Sequence, residues 1–309
     1  MSREINLSLH TIPVELVYNI LDHLDDVTIL LSCRNVCTRL NAITDTYRRY
    51  QIFNILYLGG DHVGTQKAKH ISDILIGNQT ITTVYLQKCQ IDSQGAEFLS
   101  TALRHNNTLL TLQLQSNQIG SQGINHLSNG LLQNRTLTTL NLASNQVDDE
   151  GAQYLSIALL KNNSLTTLDL RLNQITSQGT QYLSNSLVQN KTLLTLHLSW
   201  NNIGDQGVEY LSNTLLDNKT LTTLGLEGIQ LSDQGAEHLA NVLLQNKTLT
   251  SLRLRENRMS AQGAEYLCNA LLDYETPMSL YLNLNHINDD GKRYVNEILK
   301  IKPRIRIIL

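Results

Sequence analysis

The chain has 309 residues, 17% of them charged, and a formal net charge of −3. That balance excludes a global cationic field of the kind that draws nucleic acid or an anionic membrane surface. No segment approaches the ~20 consecutive apolar residues of a membrane-spanning helix, and the N-terminus lacks the charged and apolar regions of a signal peptide. The four cysteines, Cys33, Cys37, Cys89 and Cys268, form neither a metal-type pair nor a disulfide framework. Reduced thiols in the cytosol or nucleus are therefore expected.

Residues 1–50 have helical spacing. Pro13 suits the first turn of a helix, after which Leu16, Val17, Ile20, Leu21 and Leu24 form an apolar face ending at Asp25 and Asp26. A second apolar set follows at Ile29, Leu30, Cys33, Val36, Cys37 and Leu40. A piece of about forty residues has too small a core to stand alone, so it must lean on the rest of the chain or on a partner. The order Ile12-Pro13-Val14-Glu15-Leu16, Ile20-Leu21, Leu24-Asp25, Leu30-Leu31 and Val36-Cys37 resembles the F-box, whose pattern is L-P-x-E-[IL]-x-x-x-I-[LF]-x-x-L-D, then a leucine pair, then V-C. Ile12 stands where Leu is usual, and Leu40 near where Trp is common; both keep the apolar character. The resemblance implies a three-helix motif that docks the Skp-type adaptor of a cullin–RING ubiquitin ligase, with Pro13, Leu16, Ile20 and Leu24 at the interface. The structural alternative is a helical cap shielding the first strand, and one segment can serve both purposes.

From Gln51 onward the chain is periodic. Glycine recurs every 28 residues at Gly95, Gly123, Gly151, Gly179, Gly207, Gly235, Gly263 and Gly291, which is the mark of a solenoid. A worn unit comes first: Leu56, Leu58 and Val63 fall in register, but Lys67 stands in the glycine position. Eight close units follow, starting at Thr80, Thr108, Thr136, Ser164, Thr192, Thr220, Thr248 and Thr276.

In the unit from Thr136 to Asn163, Leu140 and Leu142 alternate on a short strand. Asn145 leaves the strand at a turn, Asp148 is a helix cap, and Ala152, Leu155, Ala158 and Leu159 form a helical apolar stripe. The asparagine position reads Asp61, Cys89, Asn117, Asn145, Asn173, Asn201, Ile229, Asn257 and Asn285. This resembles the leucine-rich repeat, L-x-x-L-x-L-x-x-N/C-x-L, and the unit length with its full helix looks like the ribonuclease-inhibitor subfamily. The resemblance covers residues 52–309 and implies an α/β horseshoe solenoid, with parallel strands on the concave side and helices on the convex side. The expected organisation is an F-box-like helical domain over 1–50 and a repeat domain over 51–309, with nine units and a terminal strand from Arg304 to Leu309. Lys300, Lys302, Pro303, Arg304 and Arg306 make that last strand a poor template for further pairing.

Several patterns have plain explanations. Asn78, Asn106, Asn134, Asn162, Asn190, Asn218 and Asn246 each begin an N-x-S/T sequon, as does Asn6. In the repeats this fits an asparagine ending each helix in the left-handed conformation, with Thr or Ser opening the next strand. Phe98, Tyr154, Tyr182, Tyr210, Tyr266 and Tyr294, with His126 and His238 in the same register, are expected to pack helix on helix. The run from Gly59 to Gly64 lacks the Lys-Ser/Thr of a phosphate loop and is assigned to a strand-exit turn.

No catalytic residue, metal or cofactor is expected; the productive question is binding. The concave positions flanking the buried leucines are neutral and amide-rich in the early units. In the later units they gather Asp169, Arg171, His197, Glu227, Arg253, Arg255 and Tyr281, with Trp200 at the rim. Trp, Tyr and Arg are frequent interface anchors, and mixed charge points to a protein partner. The reading carried forward is a substrate-recognition subunit of a Skp–cullin–F-box ubiquitin ligase. Its expected partners are the Skp-type adaptor and a protein substrate, with no nucleic acid and no membrane. The alternatives are a leucine-rich-repeat scaffold or inhibitor without ligase coupling, and a Ran-type GTPase activator.

Overall fold

The computed structural model describes residues 12–23, 39–40, 42–43, 54–60 and 63–309. An N-terminal helix α1 (Val14–Asp22) precedes the array. The units then run β1 (Ile55–Tyr57), α2 (Gly64–Gly77), β2 (Thr83–Tyr85), α3 (Ser93–His105), β3 (Thr111–Gln113), α4 (Gly120–Leu131) and β4 (Thr139–Asn141). They continue with α5 (Asp149–Lys161), β5 (Thr167–Asp169), α6 (Ser177–Leu187), β6 (Thr195–His197), α7 (Gly204–Asp217) and β7 (Thr223–Gly225). The array closes with α8 (Asp233–Gln245), β8 (Ser251–Arg253), α9 (Ala261–Leu272), β9 (Met278–Tyr281), α10 (Asp289–Ile301) and β10 (Ile305–Ile308).

All ten strands form one parallel sheet in sequence order. From β1 to β9 each pairs with the next at the repeat interval, as Leu112 with Leu140 and Leu140 with Leu168, and β10 pairs with β9 one residue short of it, Ile305 with Met278. The central Leu or Val of each strand from β1 to β8 points into the core, and its neighbours face the open side of the sheet, most of them part-exposed, with Asp169 and Gly225 buried. Strands sit about 4.8 Å apart while packed helices need about 8–10 Å, so the sheet takes the inside of the curve. In the specimen unit Leu137, Leu140, Leu142, Val147, Ala152, Leu155, Ala158 and Leu159 are all buried, in a core continuous along the array.

The repeating glycine is explained by close approach rather than by backbone freedom. A Cβ on Gly123 would lie 2.6 Å from Ile119 Cγ2 and 3.1 Å from both Ala96 Cβ and the Ser93 Cα of the preceding helix. The first unit has no such neighbour among the repeats, and there Lys67 is exposed. Asp92, Asp148, Thr176, Ser232, Ser260 and Asn288 cap the following helices with side-chain oxygens.

Two amide ladders tie unit to unit. In the strand-exit ladder, Asn117 accepts the N–H groups of Cys89 and Ile91 and donates to the carbonyls of Leu86 and Leu114. In the helix-end ladder, Asn162 donates to the Leu131 and Asn134 carbonyls and accepts from the N–H groups of Ser164 and Leu165. The helix-end asparagines are extended, not left-handed as expected: Asn162 has φ −75° and ψ 131°. The residue is chosen for an amide that holds two turns at once, which also buries it away from any glycosylating enzyme. The ladder ends at Tyr274, one repeat beyond Asn246, where a buried phenol donates to the Leu249 carbonyl instead.

The left-handed conformation occurs elsewhere. Gly60, Lys88, Ser116, Ser144, Leu172, Trp200, Gly228, Glu256 and Leu284, one per unit, have φ between 56° and 89° at the strand-exit turn. Seven of them are not glycine, a cost of roughly 1–2 kcal/mol each in isolation that the flanking backbone hydrogen bonds offset: from Gly60 to Glu256 each N–H in this column bonds a carbonyl of the next unit, Trp200 to Glu227 at 2.7 Å and Leu172 to Ser199 at 3.0 Å. The described part of the Gly59–Gly64 run is the first member of this series, as expected.

Candidate functional site

Two surfaces stand out. The first is α1. Val17 and Leu21 are buried and join the same apolar cluster as Leu40, Ile43 and the first repeat strands, while Leu16 (51% exposed) and Ile20 (53%) face away from it. Pro13 is exposed and sits at the N-cap, its carbonyl accepting from the Leu16 and Val17 N–H groups at 3.1 and 3.2 Å. Leu24, the fourth residue of the expected adaptor interface, lies outside the described residues. One helix thus carries an inward apolar stripe and an outward one, which a cap alone does not require.

The second surface is the open face of the sheet over β5–β9. Asp169 is buried and held by Arg171 through a two-pronged ion pair, with Nε 2.9 Å from Oδ1 and Nη2 2.6 Å from Oδ2. That bond holds the guanidinium above its usual range. Two strands on, Glu227 is buried, accepts the Ser199 hydroxyl, and has Arg253 Nη1 3.9 Å from Oε1. Arg253 in turn lies 5.5 Å over the Tyr281 ring. His197 sits between the two carboxylates; burial pulls its pKa below the ordinary imidazole value, with Arg171 and Arg253 adding to that and Asp169 and Glu227 opposing it.

Gly225 makes room for this cluster. A Cβ there would fall 2.6 Å from His197 Nδ1, 3.1 Å from Glu227 Oε2 and 3.2 Å from Ser199 Oγ. Gly228 does the same for Trp200, whose ring lies across it: a Cβ would meet Trp200 Cδ1 at 2.6 Å. Arg255 is exposed, and no ion pair engages it among the described residues. The eight partner-binding residues picked from the sequence thus fall on one side of the sheet and its rim. Asp169 and Glu227 form the floor beneath their arginines, so neither is presented to a partner. Leu172 was missed: it is 56% exposed on the turn before Trp200. The available signal was its column, since Gly60 and Gly228 mark that position as left-handed and hence as a projecting turn.

The early half of the face differs. The Tyr57 and Tyr85 rings meet at a tilt of 43° with 5.3 Å between centroids, and Gln87 donates to the Tyr57 hydroxyl. Gln113, Gln115 and Asn141 continue the amide row without a charge. On the convex side Tyr154, Tyr266 and Tyr294 pack against the core, as helix-on-helix packing requires. Among the described residues no group of three or more His, Cys, Asp or Glu could hold a metal.

Comparison with known families agrees with the period and the N-terminal helix. A leucine-rich-repeat model matches residues 77–100, 105–127, 133–156, 161–184, 189–212 and 245–268, and an F-box-like model matches residues 9–52. The chain joins an F-box-like domain to leucine-rich repeats of the ribonuclease-inhibitor type. No curated protein sequence matches this F-box-like, leucine-rich-repeat chain. Solved structures similar to it include actin-binding site 2 of leiomodin-1, at 21% identity over 47% of this chain and 87% of that one, with a TM-score of 0.41. The tropomodulin C-terminal domain of Caenorhabditis elegans is similar at 17% identity over 49% of this chain and 92% of that one, with a TM-score of 0.43.

Proposed function

We propose that this chain is the substrate-recognition subunit of a Skp–cullin–F-box ubiquitin ligase. The N-terminal segment docks the Skp-type adaptor, and the open face of the repeats captures a protein. Catalysis then belongs to the recruited conjugating enzyme, and this chain contributes proximity by raising the effective concentration of substrate lysines. The observation that carries the reading is α1: within the span matching the F-box-like model, Leu16 and Ile20 stay half-exposed on a helix whose other stripe is buried. Exposed apolar side chains gathered on one ridge are typical of a docking surface. The residues assigned to the adaptor are Pro13, Leu16, Ile20 and Leu24.

Co-purification with a Skp-type adaptor tests the reading. Wild type is expected to retain the adaptor, and a Leu16→Asp/Ile20→Asp double variant to lose it while its circular dichroism and melting stay unchanged, because neither side chain contributes to the core. No retention by wild type leaves the scaffold or inhibitor reading in its place, with α1 acting only as a cap.

A further inference from the structure

The charges on the open face are layered. In the Asp169–Arg171 pair the carboxylate side chain is 6% exposed and the guanidinium 38%; in the Glu227–Arg253 pair the values are 12% and 41%. Counted formally the pairs cancel. Seen by an approaching molecule they do not, because each anion lies at the floor and each cation above it. Arg255, exposed two residues beyond the end of β8 and in no ion pair among the described residues, adds a third cation. Beside them the rim carries Leu172 and Trp200 on successive left-handed turns, with Gly228 letting the indole lie flat. Glu256 is the one exposed acid on the adjoining rim turn.

We infer that the partner captured on this face presents an acidic peptide segment, with an apolar side chain seated against Leu172 and Trp200 and carboxylates over Arg171, Arg253 and Arg255. Guanidinium groups pair with carboxylates through parallel hydrogen bonds. The cations form a short cluster ending at an apolar rim, which suits a protein segment and offers no basic track for a run of phosphates. The inference deepens the receptor reading above and rests on it for the partner being a protein.

Full-length protein is titrated with a fluorescent peptide alternating leucine and glutamate, and with its leucine–glutamine counterpart. The glutamate peptide is expected to bind about ten-fold more tightly in about 50 mM salt, and the gap to close in about 500 mM salt as the charges are screened. Arg255→Glu, which touches no buried group, should abolish the preference. Arg253→Gln/Glu227→Gln, which removes a cation together with its buried partner, should weaken it, and Trp200→Gly should weaken both peptides alike. Equal binding of the two peptides, or none, overturns the inference. Tighter binding of a phosphoserine peptide or of a single-stranded oligonucleotide than of the glutamate peptide also overturns it. Adaptor co-purification on the same preparations separates the two readings, because Arg255→Glu leaves α1 intact. Wild type that binds the acidic peptide but no adaptor sinks the receptor reading alone.

Discussion

Asn190 shows why one residue recurs at the helix end from Asn78 to Asn246. It is 3% exposed; its Nδ2 donates to the Leu159 carbonyl at 2.8 Å, and its Oδ1 accepts the Thr192 and Leu193 N–H groups at 3.0 and 2.8 Å. Replacing it with alanine takes the partner from the buried Leu193 N–H, the part-buried Thr192 N–H and the Leu159 carbonyl, so Asn190→Ala is expected to lower stability by about 2–4 kcal/mol. A denaturant titration reads this as a lower midpoint, and a change under about 0.5 kcal/mol would show that water replaces the amide. The sequence marked this position by recurrence alone. It did not reveal the geometry, because an asparagine after a helix can adopt the left-handed conformation and only the packed neighbour explains an extended one such as Asn162. Tyr274 was hidden for the same reason: its burial raises the phenol pKa to about 12, yet nothing in its spelling connects it with Asn246.

At the scale of the element, two features of each helix start are testable. Gly123→Ala adds helix propensity of about 1 kcal/mol but drives a methyl into Ile119 and the preceding helix. Overpacking of about 1–3 kcal/mol should win, and the substitution is expected to lower the melting temperature; a rise would mean the helices separate freely. The caps give a pH dependence. The Gly95 N–H beside Asp92 holds its carboxyl below the usual value, aided by the Thr65 hydroxyl. For Asp148, burial pushes upward, but bonds from the Ser121 hydroxyl and the Gly151 N–H outweigh it. A lowered folded pKa stabilises the fold above the unfolded value of about 4 and is lost as pH falls through the folded value. Stability should therefore decline below about pH 4, and Asp148→Asn, a cap that does not titrate, should flatten that decline. An unchanged slope in the variant would remove Asp148 from the account.

For the whole molecule, the unit of folding is the repeat with its neighbours. Deleting residues 164–191 joins Asn163 to Thr192, keeps both ladders in register and brings β4 against β6. That variant is expected to fold with native circular dichroism and a cooperative transition of smaller denaturant dependence, since less surface is buried. Removing residues 164–177 instead takes half a unit and should leave the chain without a cooperative transition. The architecture was legible in the sequence because a fixed period forces strand register, helix spacing and sheet order together. The binding face was legible only in outline. Alternation places Asp169, Arg171, Glu227 and Arg253 on one side, but which charge lies deep depends on side-chain length and on the strand next door. Leu172 could be reached only through the turn conformation of its column.

Trp200 has an optical use that follows from its seat on Gly228. It is the only tryptophan among 309 residues, and its half-buried ring lies on the turn leading from β6 into α7, against Gly228 of the next unit. Selectively excited indole emission therefore reports a single spot on the rim, without a label. Opening of that turn or arrival of an apolar group beside it would move the emission maximum, while events at α1 or β10 would leave the spectrum still.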